Sequence, residues 1–248
     1  MFTVALVGGD GAGKTTIARM LQELSPLPAK YLYMGVSTLS SNHALPTSRL
    51  ILVLKQRSYR RKVAKAGASP SESIPAHYLE YAKTERGSVW TALRLLNRML
   101  EAWYRQIISL WYQLRGHIVI CDRHFLFDAA PLVTDSTRSW QTSLDALNYC
   151  IFSHLYPKPH LTILLDAPVD VLYARKGEAT PEYLDRQRRA YLEQGKRTPN
   201  FFRVDATQPL DAVFDDVQRI VLEFHARDGG VCHIGKGTIQ GTESARRP

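Results

Sequence analysis

The sequence predicts an α/β fold, arranged as a doubly wound five-stranded parallel sheet with helices on both faces. Five short apolar segments rich in β-branched residues recur along the 248 residues. They lack polar alternation, which is typical of strands buried on both faces. A helical pattern follows each segment, as expected where crossover connections join parallel strands. Hydrophobic residues make up 45% of the chain and charged residues 22%, which is the composition of an ordinary folded domain.

The predicted strands begin and end at changes in this apolar pattern. They span residues 2–7, 30–34, 117–121, 161–165 and 201–204. One domain is predicted over residues 1–226, because the sequence has no internal repeat and no second core-forming block. The glycine-rich residues 227–248 are expected to form a flexible C-terminal tail.

The longest helical pattern covers residues 89–114. Its large apolar side chains recur at intervals of three and four and form one wide stripe. They are Leu93, Leu96, Leu100, Trp103, Ile107, Leu110, Trp111 and Leu114. We expect the stripe to pack on the sheet or on a partner subunit. Burial in the core is favoured, and a homodimer through this helix is the second interpretation.

Charge and cysteine content indicate the compartment and the class of partner. The formal net charge is +9, and residues 49–65 alone carry seven bases and no acid. This basic segment, taken as residues 45–75, could face phosphate-rich ligands or an anionic membrane surface, or form a solvated helix face. Tyr59 is its one aromatic residue, which argues against nucleic acid. The spacing of the three cysteines and the lack of a membrane-span pattern favour a cytoplasmic protein without stable membrane insertion.

A glycine-rich motif follows the first predicted strand and precedes an amphipathic helix. Residues 8–15 read Gly-Gly-Asp-Gly-Ala-Gly-Lys-Thr, which fits the phosphate-binding loop (P loop) pattern G-x-x-x-x-G-K-[ST]. In this motif backbone N–H groups face the phosphates, Lys14 reaches the β and γ oxygens, and Thr15 coordinates Mg²⁺. The sequence therefore predicts a P loop that binds a nucleoside triphosphate such as ATP together with Mg²⁺. The expected nucleotide contacts in the loop are Gly8, Gly11, Ala12, Gly13, Lys14, Thr15 and Thr16.

Asp122 and Arg123 follow the third predicted strand directly. In an open parallel sheet the carboxyl ends of the strands line the ligand crevice, which places this pair beside the P loop. Asp122 is predicted to hold Mg²⁺ or its water, and Arg123 to grip a phosphate with its planar guanidinium. A salt bridge at the strand end is the alternative.

A basic loop follows the fourth predicted strand and its helix. Arg175 and Lys176 precede Gly177, and Pro181 follows shortly after. The glycine and proline bracket a small mobile lid over residues 175–182, whose positive charge could reach the transferring group.

Taken in order, these motifs resemble the thymidylate kinase family over residues 1 to about 225. The resemblance rests on residues 8–16, Asp122-Arg123, Leu164-Leu165-Asp166-Ala167-Pro168, Lys176-Gly177-Glu178 and Val204-Asp205-Ala206-Thr207-Gln208-Pro209. It implies ATP-dependent phosphoryl transfer to a nucleoside monophosphate, with dTMP as the first acceptor to test.

The resemblance also implies roles for individual residues. Asp10 would face the sugar hydroxyl of the acceptor, Arg123 its phosphate and Arg105 its base. Arg175 and Lys176 would supply the catalytic charge from the lid, because Ala12 leaves the P loop without an arginine. The adenine pocket would be formed by Ala206, Thr207 and Gln208.

Two segments differ from the family pattern. Residues 34–43 stand where the family has an Arg-Glu-Pro-Gly-Gly type loop, and residues 125–130 replace a Ser-x-x-Ala-Tyr-Gln type segment. A kinase for another nucleoside, nucleotide, sugar or glycolipid is therefore an alternative. A non-catalytic nucleotide-binding regulator is another, although the complete set of Lys14, Thr15, Asp122 and Arg123 favours catalysis.

Overall fold

The computed structural model describes residues 1–35, 43–65, 88–128, 156–177 and 179–228. The strands are β1 (Thr3–Val7), β2 (Ala29–Tyr33), β3 (Ile118–Asp122), β4 (Leu161–Asp166) and β5 (Phe201–Asp205). The helices are α1 (Lys14–Leu24), α2 (Pro46–Lys65), α3 (Ser88–Leu114), α4 (Phe125–Asp128), α5 (Val169–Lys176), α6 (Pro181–Lys196) and α7 (Leu210–Asp228).

The strands form one five-stranded sheet in the order β2-β3-β1-β4-β5. β1 pairs in parallel with β3 and β4, and β4 pairs in parallel with β5. The predicted fold class is therefore confirmed. The strand order reverses around β1, so the loops after β1, β3 and β4 separate at this point and open a crevice at the carboxyl ends of the strands.

The described chain divides into two compact units. The first contains Met1–Tyr31 and the described residues from Tyr112 onward, and the second lies within Leu32–Trp111. In the first unit β1, β3 and β4 are buried at every residue, and α1 packs against β3 and α7. The sheet thus forms the core of the first unit. A single domain over residues 1–226 stays a prediction, and the predicted tail beyond Asp228 lies outside the described residues.

In the second unit α3 buries its polar side. Glu101, Arg105 and Ser109 are buried, and Glu101 accepts hydrogen bonds from Ser48 Oγ (2.7 Å) and the backbone N–H of Leu45 (3.1 Å). These contacts attach α3 to the start of α2. The periodicity of α3 thus identified its two faces, but the polar face, and not the apolar one, packs against the start of α2.

The predicted apolar stripe of α3 is exposed at all eight of its positions, from 38% at Trp103 to 79% at Leu114. The expectation that the stripe is buried in the core of the chain is therefore wrong. An apolar period shows which residues share a face, but it does not show what covers that face.

The basic segment forms the helix α2 as far as Lys65, and the rest of residues 45–75 lies outside the described part. Several side chains of α2 are exposed, namely Leu50, Val53, Leu54, Arg57 and Arg61. Its contact with an anionic surface stays a prediction. None of the described helices combines the length and the apolar character needed to cross a membrane.

Candidate active site

The P loop approaches its neighbours so closely that glycine is required at two positions. Gly8 has φ 150°, and a Cβ atom there would lie 2.5 Å from the carbonyl oxygen of Leu165 in β4. Gly11 has φ 92°, and a Cβ atom would lie 2.8 Å from the carbonyl oxygen of Leu172 in α5. Side chains at these positions would force the backbone apart. The loop is thus packed against both β4 and α5.

Lys14 lies inside this loop with its side chain 6% exposed. Its Nζ donates hydrogen bonds to the carbonyl oxygens of Gly8 (2.9 Å) and Gly9 (2.7 Å) and lies 3.9 Å from Asp10 Oδ1. The ammonium group is therefore held at the loop, as the motif predicts for a group that binds β and γ phosphate oxygens.

Asp122 ends β3 opposite Leu6 of β1, with its carboxylate facing the start of α1. Oδ2 accepts hydrogen bonds from Thr15 Oγ1 (2.6 Å) and Tyr31 Oη (3.1 Å). Oδ1 is buried and has no hydrogen-bond partner among the described residues. The sequence prediction that Asp122 lies beside the P loop agrees with this geometry.

The donor set of Thr15 and Asp122 fits Mg²⁺, because the ion prefers hard oxygen ligands and an unpartnered buried carboxylate oxygen is present. Within the described residues no three His, Cys, Asp or Glu side chains cluster as a metal site. Mg²⁺ commonly binds one or two protein oxygens and completes its shell with phosphates and water. The site therefore suits a metal that arrives with a nucleotide.

Arg123 is held in a strained conformation beside the P loop. It has a left-handed φ of 74°, a conformation that costs energy for a non-glycine residue and is often found at functional sites. Its backbone N–H donates to the carbonyl oxygen of Leu6 (3.1 Å), and its guanidinium donates to Asp10 Oδ1. The pair places a fixed guanidinium at the carboxyl end of β3.

Asp10 is ionised at neutral pH. Burial raises its pKa, but the charges of Arg123, Lys14 and Lys176 together outweigh burial and hold the pKa below its ordinary value.

The two predicted lid bases have different surroundings. Arg175 Nη1 donates to the carbonyl oxygen of Ala206 (2.8 Å), at the start of the predicted adenine segment, whereas Lys176 acts on Asp10. The backbone of that segment turns at Asp205, whose Oδ1 accepts hydrogen bonds from Thr207 N (2.9 Å) and Thr207 Oγ1 (2.7 Å). Arg175 therefore contacts the predicted adenine segment, whereas the charge of Lys176 acts on the P-loop acid Asp10.

Arg105 lies in the second unit and is only 3% exposed. Nε donates to the carbonyl oxygen of His43 (3.3 Å), Nη1 to that of Gly35, and Nη2 to Glu101 Oε1 (2.9 Å). The guanidinium thus joins the two ends of residues 36–42, which lie outside the described part. Recognition of an acceptor base by Arg105 stays a prediction.

Asp166 at the end of β4 receives arginines that the sequence did not single out. Arg188 of α6 donates two hydrogen bonds to its carboxylate, and Arg203 of β5 forms an ion pair with it. Long side chains on a helix are usually solvent-facing, so only the spatial position of Asp166 could have identified Arg188.

His124 is buried directly after Arg123, and we predict that it makes stability depend on pH. Burial lowers the pKa of His124 to about 4, which a hydrogen bond with the backbone of Pro157 only partly offsets. The unfolded chain binds this proton near pH 6.5 and the folded chain does not, so stability falls as the pH falls through this window. The loss should reach roughly 2 kcal/mol at pH 5. Chemical denaturation at pH 7.5 and pH 5 should show a shallower dependence for His124→Gln than for the wild type, and equal slopes would contradict this assignment.

The fold and the site together define the class of P-loop phosphotransferases. A solved thymidylate kinase of Candida albicans shares the fold, with a TM-score of 0.55 and 19% identity over 92% of each chain. A probable thymidylate kinase of Staphylothermus marinus is 31% identical over 90% of this chain and 95% of its own length, and one of Archaeoglobus fulgidus is 28% identical over 89% and 95%. No protein-family model matches the chain. The chain belongs to the thymidylate kinase family and is a kinase.

Proposed function

We propose that the chain transfers the γ-phosphoryl group of ATP to dTMP and uses Mg²⁺. The main structural support for this proposal is the ion pair of Arg123 and Asp10 beside a complete P loop. The similarity of the chain to probable thymidylate kinases supports it as well. The pair supplies a guanidinium for the acceptor phosphate and a carboxylate for its sugar. A cytoplasmic location is part of the same proposal and is supported by the free, buried thiol of Cys121.

The proposed mechanism depends on positioning and charge, since phosphoryl transfer needs little covalent chemistry from the protein. Lys14 would bind the β and γ phosphates, and Thr15 and Asp122 would hold Mg²⁺. When bound, the ion would offset charge on the phosphate oxygens. Lys176 would add positive charge on the acceptor side of the P loop. The donor base would be held by Arg175, Ala206, Thr207 and Gln208.

The proposal predicts the order of preference among acceptors. Single-turnover transfer from ATP to dTMP, dUMP, CMP and thymidine should give a kcat/KM for dTMP about tenfold or more above the others, because a polar site built for one substrate rejects those that leave its groups unpaired. The variant Lys14→Met is the inactive control.

A different acceptor is the second candidate, because residues 34–43 lack the Arg-Glu-Pro-Gly-Gly type loop. In the same experiment, transfer to another member of the panel but not to dTMP would replace the acceptor and leave the kinase assignment intact. ATP binding without transfer to any acceptor would instead favour a regulator.

We also propose that the kinase is a homodimer through the apolar stripe of α3. The helix has 27 residues, which corresponds to about 40 Å, and its stripe exposes eight large apolar side chains. Exposed apolar surface of this extent usually marks an interface. A second copy is the proposed occupant because an uncharged stripe along a whole helix is complementary to itself across a two-fold axis.

Light scattering tests this interface. The wild type should have twice the chain mass of 28.1 kDa, and Leu100→Glu with Ile107→Glu should reduce it to one chain, because a charge in an apolar interface is strongly unfavourable. The matched control is Leu50→Glu with Leu54→Glu, on equally exposed residues of α2, which should remain dimeric. A monomeric wild type would contradict the proposal.

A further inference from the structure

Asp166 is a buried charge at the carboxyl end of β4. Its side chain is 3% exposed, and the other residues of β4 are buried with it. A buried carboxylate is costly unless it is both paired and hydrogen-bonded. The partners of Asp166 therefore show what its charge is used for.

Two arginines from different elements share this carboxylate. Arg188 of α6 makes a two-pronged contact, from Nε to Oδ1 (2.6 Å) and from Nη2 to Oδ2 (2.9 Å). Arg203 of β5 makes a single contact, from Nη2 to Oδ2 (2.6 Å), and is more exposed, at 58% against 30% for Arg188. The two-pronged contact fixes the orientation of the guanidinium plane, whereas a single contact does not.

The backbone around Asp166 connects two parts of the nucleotide site. The carbonyl oxygen of Asp166 accepts a hydrogen bond from the N–H of Ala206 (2.8 Å), in the predicted adenine segment. The preceding carbonyl oxygen, that of Leu165, is the group against which Gly8 of the P loop packs. A helix attached to the Asp166 side chain is thereby attached to both the P loop and the base segment.

Helix α6 is the element attached in this way, and it begins at the far end of the lid. Thr180 caps it, accepting a hydrogen bond from the N–H of Tyr183 (3.3 Å). On the near side of the lid, α5 ends at Lys176, and Arg175 donates to Ala206. Both ends of the lid are therefore tied to the same short region of β4 and the base segment.

We infer that Arg188 is a positioning residue for phosphoryl transfer: through Asp166 it sets the place of α6, and with it the place of the lid, relative to the P loop. Arg203 also pairs with Asp166, but it lies on β5, which is not connected to the lid. This inference rests on the proposed function, since it assigns Arg188 a role in the same reaction. Misplacing a catalytic charge by about 1 Å can cost about 100-fold in rate.

Arg188→Met tests the inference, with Arg203→Met as the matched control that removes the same charge from the same carboxylate. We expect Arg188→Met to lower kcat for dTMP by about tenfold or more while the KM for ATP stays within about threefold, because ligand contacts are kept and only their placement is lost. Arg203→Met should stay near the wild type in both constants. Arg188→Lys keeps the charge and loses the two-pronged contact, so it should remain impaired.

Other patterns would overturn the inference. If kcat fell equally in the two Met variants, or if Tm fell while kcat stayed unchanged, the contacts of Asp166 with Arg188 and Arg203 would only stabilise the fold. A large rise in the KM for ATP at constant kcat would make Arg188 a nucleotide ligand. Hydrogen exchange in the first turn of α6 gives a second measurement that needs no phosphate acceptor. ATP should protect these amides in the wild type and in Arg203→Met but not in Arg188→Met. Failure of the wild type to phosphorylate dTMP would count against the proposed function alone, because the hydrogen-exchange measurement would still test the role of Arg188.

Discussion

Replacing Lys14 by Met should lower the single-turnover rate of phosphoryl transfer by about 100- to 1000-fold, the usual cost of removing a group that stabilises developing charge. Lys14 Nζ lies at the P loop, bonded to the carbonyl oxygens of Gly8 and Gly9. Methionine keeps the apolar stem in this buried space and removes only the ammonium group. The substitution therefore separates the charge of Lys14 from its packing better than alanine would.

The matched control for this substitution is Lys196→Met. Lys196 is 73% exposed and pairs with Glu193 within α6, and an exposed pair of this kind contributes little to stability. Its loss should leave the transfer rate unchanged. Both variants should keep the circular dichroism spectrum of the wild type. A Lys14→Met enzyme that turns over at a near wild-type rate would show that the loop does not bind the transferring phosphates.

The fold and the P loop could be predicted because each depends on a local pattern that has few physical solutions. Unbroken apolar strands separated by helices have to be buried on both faces, which requires a parallel sheet between two helical layers. The glycines at positions 8 and 11 have backbone conformations and close contacts that exclude side chains. The predicted position of Asp122 beside the P loop followed from the rule that the carboxyl ends of parallel strands meet at one edge of the sheet.

The environment of the long arginines could not be predicted from the pattern. A guanidinium on a flexible stem reaches partners far along the chain, and sequence spacing does not report them. Arg175 bonds a carbonyl group 31 positions away and Arg188 a carboxylate 22 positions away. The resemblance grouped Arg175 with Lys176 as lid charges and did not indicate that Arg175 bonds the backbone of Ala206.

The apolar stripe of α3 shows a related limit. Its period was correctly placed, and the helix begins at Ser88 and ends at Leu114, close to the predicted residues 89–114. The opposite face of the helix is the buried one, because a polar network there joins Glu101 to both Arg105 and Ser48. Such a network is specific to the three-dimensional arrangement, because single polar residues in a helical pattern are normally assigned to solvent.

Replacing Asp122 by Asn should raise the Mg²⁺ concentration needed for half-maximal activity by about tenfold or more and lower the turnover, because an amide cannot supply the charge that a hard cation requires. The carboxylate has one oxygen bonded to Thr15 and Tyr31 and one buried oxygen without a partner among the described residues. Asparagine preserves the shape, and its carbonyl oxygen can still accept the first two bonds. The loss should therefore appear in metal dependence more than in folding.

Two comparisons make the Asp122 experiment decisive. Tyr31→Phe removes one hydrogen bond to the same oxygen without changing the charge, so its effect on metal dependence should be much smaller than that of Asp122→Asn. Asp170→Asn removes the same charge from an exposed position in the first turn of α5 and should leave the Mg²⁺ titration unchanged. Activity titrated with Mg²⁺ at saturating ATP and acceptor measures all three. An Asp122→Asn enzyme with the metal dependence of the wild type would exclude this carboxylate from the metal site, since no other change in the variant could compensate for the lost charge.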